Sequence, residues 1–160
     1  MAGLDQRAVL DVVVTAVAGQ RALFNPGWSA GRPLELPPNF YVLGDTPHDW
    51  LFARTSVVVH HGGSGTTHSA ARAGVPSVVL PFAADQCHQF FWAEQLRRQG
   101  VAPEPVAVHR LTAAKLARAI AAVRSTGMRE RASVVGTKMR MEDGLATAVD
   151  RVHRLLGGYT

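Results

Sequence analysis

His60 and the residues after it, His61-Gly62-Gly63-Ser64-Gly65-Thr66, form the grouping in this chain best suited to chemistry. The run Ser56 to His60 is short and valine-rich, as in a strand covered on both faces of a parallel sheet. Gly62, Gly63 and Gly65 allow a tight turn and let a ligand approach the backbone closely. From Thr66 to Ala73 the residues suit a helix, which Gly74 and Pro76 would end. The first N–H groups of such a helix lack intrahelical partners, and its dipole points its positive end at the turn. An imidazole on the strand's last residue stands beside them. This pattern predicts a phosphate-binding turn. His60 would supply a ring nitrogen, and Gly62, Gly63, Ser64, Gly65 and Thr66 would supply backbone N–H groups, with a hydroxyl from Ser64 or Thr66.

Other readings of the turn fit less well. A Walker loop needs Gly-Lys-Ser/Thr, and no lysine is near. The dinucleotide fingerprint needs a small residue where His68 stands. A nucleophile elbow needs glycine where Thr66 stands. Three of the seven histidines fall between His60 and His68, but no carboxylate or cysteine stands at ligand spacing with them. No metal is therefore expected. His61 faces away from His60 by strand alternation and reads as packing, and His68 reads as structural.

The second strand, Ser77 to Leu80, is followed by Asp85-Gln86, at the strand end where α/β sheets place ligands. Around this pair of strands the apolar pattern predicts a helix over Leu4–Ala18, a strand over Arg21–Phe24 and a Gly/Pro-rich loop over Asn25–Pro38. A strand over Phe40–Leu43 and a short helix over Pro47–Arg54 come next, with Pro47 in the first helical position. A helix over Gln89–Arg98 and an edge segment over Pro103–Val108 follow. Two or three Ala/Arg-rich helices fill Thr112–Leu156, with breaks near Gly127 and Gly136. Alternating strands and helices predict an α/β fold with a Rossmann-like parallel sheet and helices on both faces.

With 160 residues, the chain is one domain with a proper core. Its hydrophobic share is 47%, and no apolar run nears the roughly 18–20 residues of a membrane span. With a lone Cys87 and nothing like a signal peptide, the expectation is a soluble cytoplasmic protein. The formal charge is +5, but its arginines lie at helical spacing among Glu130, Glu142, Asp143 and Asp150. That is a solvated helix surface rather than a nucleic-acid footprint, so no nucleic-acid partner is expected.

HHGGSGTT, AGVPSVVLPF and the Asp-Gln after them resemble the donor-site signature of nucleotide-sugar glycosyltransferases of the two-domain GT-B fold. The likeness is greatest to the branch acting on sterols, lipids and macrolide- or glycopeptide-type natural products. It extends through GQRALFNPGW, LGDTPHDWLF, Gly100-Val101-Ala102-Pro103 and MEDGLATAVDRV, and so covers nearly the whole chain. The resemblance implies the C-terminal, donor-binding half of such an enzyme, residues 1–160, without the acceptor-binding domain. It implies a UDP- or TDP-sugar as substrate and no cofactor. His60 and the glycine turn would hold the diphosphate, Asp85 and Gln86 the hexose, and Thr46, Pro47 and His48 the nucleobase. Trp28 and Trp50 read as core aromatics. The general base would lie in the other domain, so this chain holds no catalytic base and alone should not transfer sugar. A noncatalytic nucleotide-sugar binder is the alternative.

The sequence departs from the family pattern in two places. Cys87-His88-Gln89 looks inserted before Phe90-Phe91-Trp92, which makes His88-Gln89 a second candidate for the sugar. The first, central strand of the sheet also looks absent, since the chain begins Met1-Ala2-Gly3-Leu4. Two outcomes are expected: a strand supplied by another copy or by an acceptor-domain partner, or direct pairing of the Arg21–Phe24 and Ser56–His60 strands.

Overall fold

The computed structural model describes residues 6–26, 35–82 and 88–157. Along the chain run α1 (Gln6–Ala16), β1 (Ala22–Phe24), β2 (Phe40–Val42), α2 (His48–Phe52), β3 (Val58–His60), α3 (Ser64–Ala73) and β4 (Ser77–Val79). Then come α4 (Gln89–Arg98), a single 3-10 turn at Val108–Arg110, α5 (Ala113–Val123), α6 (Thr126–Met141) and α7 (Gly144–Gly157). The alternation is the expected one, with strands trimmed by a residue or two.

β4 shows why the chain folds as layers. Val78 and Leu80 point to one side, where they meet Ala16 of α1 and Leu116, Ala119, Ile120 and Val123 of α5. Val79, one residue out of phase, points to the other side and meets Ala93 and Leu96 of α4 and Ala132 of α6. Strand alternation thus places helices on both faces. Beyond β4, the N–H of Ser77 donates to Val101 O, and those of Val106 and Val108 donate to Val79 O and Pro81 O. The expected edge segment is therefore bonded to β4, but Pro103 and Pro105 have no N–H to give and no regular strand forms.

The sheet consists of two separate parallel pairs, β1–β2 and β3–β4. The expected direct pairing of the Arg21–Phe24 and Ser56–His60 strands is not formed among the described residues. Other contacts hold the β1–β2 pair instead. α1 packs on α5, Leu43 joins Leu51, Phe52 and Val58, and Arg124 donates to the side chain of Gln20 at 2.7 Å. In both pairs the side chain of the middle residue of the first strand, Leu23 or Val59, remains exposed.

The C-terminal helices keep one expected break and correct the other. The break expected near Gly127 falls at Arg124–Ser125, whereas α6 runs unbroken through Gly136 and the chain next turns at Glu142–Asp143. Gly136 is buried where α6 crosses the end of α3, and a Cβ there would lie 2.6 Å from Gly74 Cα and N. The glycine serves the crossing, not a bend. Arg140 donates to Arg72 O, and Arg72 donates to Met139 O, closing that crossing from both sides. α7, capped by Asp143 through the Ala146 N–H, has no buried residue.

Candidate donor-phosphate site

β3 delivers His60 to the end of the sheet, and the chain then reverses into α3. The reversal passes through Gly62 at φ +96°, a conformation open to glycine but strained for other residues. Gly63 is the N-cap, and the first helical bond runs from Thr67 N–H to Gly63 O at 2.9 Å. α3 therefore begins at Ser64, two residues earlier than expected. The N–H groups of Ser64, Gly65 and Thr66 have no partner among the described residues. No acidic residue occupies the first turn to compete for them, and Ser64 and Gly65 stand at the surface. α3 stops where expected, at Gly74 in the left-handed conformation.

His60 is only 9% exposed. Its Nδ1 accepts the Gly62 N–H at 3.1 Å, and its Nε2 is buried with no hydrogen-bond partner among the described residues. Burial, and then the neighbouring His61, push its pKa down from 6.5 to about 4. Nε2 is closed to solvent in this conformation, so an incoming oxygen reaches it only as neighbouring atoms yield.

Gln89 braces the turn from above. Its carbonyl oxygen lies 2.9 Å, and its Cα 3.3 Å, from where a Cβ on Gly62 would be. Its side-chain Oε1 accepts the Phe82 N–H at 2.8 Å, and the residue is 1% exposed. His88 before it is exposed at φ +52°, the N-cap of α4. Of the second candidate pair, Gln89 is thus built into the fold and His88 faces solvent. Asp85 and Gln86 lie outside the described residues, as do Cys87 and Trp28.

Known proteins share this architecture. The family described as erythromycin biosynthesis protein CIII-like, C-terminal domain, matches residues 9–152. The chain belongs to that family. It is 34% identical to a sterol 3-beta-glucosyltransferase of Arabidopsis thaliana, across 95% of this chain and 25% of the relative. Among solved structures it superposes on the glycotransferase of kitacinnamycin with a TM-score of 0.79 and 28% identity, covering 94% of this chain and 39% of that one. It also superposes on the glycosyltransferase VinC in complex with DTDP, with a TM-score of 0.73 and 24% identity, over 91% of this chain and 37% of that one. The chain thus spans a quarter of its curated relative. It is a glycosyltransferase C-terminal domain with the α/β fold of the GT-B class.

In this CIII-like domain, the segment expected at the nucleobase leads into α2. Thr46 Oγ1 donates to Gly44 O at 3.3 Å, and Pro47 is the N-cap residue rather than the first helical one. The His48 ring lies 4.7 Å from that of Phe52, nearly parallel. Phe52 joins Leu51, Val58, Ala70 and Val75 in a buried cluster that fastens α2 against β3 and α3. Trp50 is not a core aromatic: it is 54% exposed, with the Arg54 guanidinium 4.3 Å from its ring centroid. A five-residue helix buries one side only, and Leu51 and Phe52 take it.

His61 is exposed, lies over Gly63 and packs its ring against Phe82 at 5.6 Å. His68 is exposed on α3 rather than structural. No group of three potential metal ligands occurs among the described residues, and no helix there is long and apolar enough to cross a membrane. The bracing by Gln89 and the contact with Phe82 escaped sequence reasoning, because Gln89 stood as a second candidate for the sugar and neither contact has a signal in the local sequence.

Proposed function

We propose that this domain binds the donor of a glycosyltransferase that moves a hexose from a UDP- or TDP-sugar to a hydroxyl of a lipid, sterol or natural-product acceptor. The observation that carries the reading is the buried Nε2 of His60, without a partner among the described residues, next to a helix start whose first three N–H groups also have none there. A buried polar atom without a partner costs about 1–3 kcal/mol, and an anionic oxygen would relieve it. The relatives' names support the reaction class: one is a sterol glucosyltransferase, and VinC was solved with DTDP.

In this reading His60, Gly62, Gly63, Ser64, Gly65 and Thr66 hold the diphosphate, Asp85 and Gln86 the hexose, and Thr46, Pro47 and His48 the base. The bond from the anomeric carbon to the diphosphate oxygen breaks while the acceptor oxygen bonds to that carbon. The hydroxyl proton passes to a base outside this chain. The turn's N–H groups, the α3 dipole and His60 stabilise the leaving charge by fixed electrostatics, a large contribution in many enzymes. An acceptor-binding partner completes the cleft, and the open edges of β1 and β3 offer it, or a second copy, strand pairing.

Calorimetric titration tests the reading. UDP or TDP should bind, and His60→Ala should weaken the diphosphate by about 1.5–3 kcal/mol, the range for a bond to a charged group. A bare nucleoside should hardly notice the change. Equal losses for diphosphate and nucleoside would remove His60 from the site.

A further inference from the structure

We propose that His60 meets the diphosphate as a neutral imidazole locked in one tautomer, with its proton on Nε2. This rests on the donor-site reading above and adds the chemical form in which the histidine works. A histidine beside a phosphate is ordinarily expected to be a cation. The geometry here points the other way.

The Gly62 N–H can only donate, and it donates to Nδ1 at 3.1 Å. Nδ1 must therefore offer its lone pair, and a neutral ring then carries its proton on Nε2. A second proton would have to go onto Nδ1, breaking that bond. Gly62 is not free to turn away. The Gln89 carbonyl oxygen and Val79 Cγ1 lie 2.9 and 3.0 Å from where a Cβ on Gly62 would be, and this close packing holds the peptide in place. A lone Nε2–H buried without a partner is then a preorganised donor.

Among the described residues, no nearby charge opposes this assignment. The strand end contributes His61, whose charge would disfavour a second one on His60. β4 presents Ser77, Val78 and Val79, none ionisable. α3 carries His68 and Arg72, both exposed. At α4, His88 is exposed and Glu94 is bonded to Arg97 and Arg98. Asp85 lies outside the described residues. The depressed pKa of His60, about 4, agrees with a neutral ring. Diphosphate charge is then met by the α3 dipole and N–H groups, and His60 adds direction rather than charge.

Two measurements on the intact chain test this. The first is a long-range proton–nitrogen spectrum of chain labelled with nitrogen-15 in histidine. It should show His60 with Nδ1 unprotonated and Nε2 protonated from about pH 5.5 to pH 8, the window in which an ordinary histidine changes charge. A proton on Nδ1, or titration within that window, overturns the proposal. The second is calorimetric binding of UDP-glucose, whose phosphates do not titrate in that window. Its Kd should change by less than about twofold over two pH units, whereas uptake of one proton on binding would tighten it about tenfold per unit of falling pH. His60→Gln, which keeps a neutral N–H near the Nε2 position, should bind more tightly than His60→Asn, which does not reach it. Equal weakening in both variants counts against the Nε2 donor. A chain with the expected tautomer that binds no UDP-glucose overturns the donor-site reading and this role with it. A chain whose binding tightens tenfold per unit keeps that reading and overturns only the neutral form.

Discussion

Acid should loosen this domain through His60, and the size of the effect follows from its burial. In the unfolded chain the imidazole takes up a proton near pH 6.5, whereas in the folded chain it does so only near pH 4. Because the folded-state value is depressed, the stability involved is fully present above 6.5 and is lost as pH falls towards 4. At about pH 5 the unfolded form is almost wholly protonated and the folded form mostly neutral. With about 1.4 kcal/mol for each pKa unit, the loss there is about 2 kcal/mol. Against a typical total of about 5–15 kcal/mol that is a large share. The assay is urea unfolding at about pH 8 and pH 5 for the parent chain and for His60→Gln, which cannot take up the proton. The parent should lose about 2 kcal/mol more than the variant between the two pH values. That double difference removes every other group that titrates in both proteins. Equal losses would refute the reasoning, because His60 would then be no harder to charge folded than unfolded.

Gly136→Ala should destabilise by about 1–3 kcal/mol in thermal or urea unfolding, because its Cβ meets Gly74 backbone at 2.6 Å and neither helix can yield cheaply. Gly144→Ala, with nothing within 4 Å of the new Cβ, should stay within about 0.5 kcal/mol of the parent. Gly62→Ala should abolish diphosphate binding in calorimetry, since a Cβ there is strained by φ +96° and strikes Gln89 O at 2.9 Å. Gln89→Leu leaves the Phe82 N–H without its acceptor. It should cost about 1 kcal/mol of stability and weaken diphosphate binding more than it weakens nucleoside binding. Because the proposed reading places the base outside these residues, and loss of a base costs a factor of about 10² to 10⁴, the isolated chain should show no sugar transfer in a radiolabelled-donor assay; turnover at the rate of a two-domain enzyme would count against the proposed division of labour.

The glycine turn after β3 and the helix that follows it were legible because their signals are local. Glycine at Gly62 and Gly74 permits positive φ, the valine run before His60 suits a buried strand, and Gly74-Val75-Pro76 ends α3. Each depends on residues within one turn of the backbone. The same reasoning placed the break near Gly136 wrongly, because a glycine reads alike whether it bends a helix or admits another backbone. Trp50 was misread for a related cause: a short helix gives no periodicity from which to tell its buried side.

By itself, then, the sequence determined the order of strands and helices, the glycine turn between β3 and α3 and the family to which the chain belongs. Tertiary structure decided which backbones meet. It set Gln89 against Gly62, aligned the Gly62 N–H with Nδ1 of His60, crossed α6 over Gly74, and left β1 and β3 unpaired with each other. The reason is range. φ preferences, caps and apolar periods act over a few residues, whereas these contacts join positions far apart in the chain, and their energies exist only once the layers have packed.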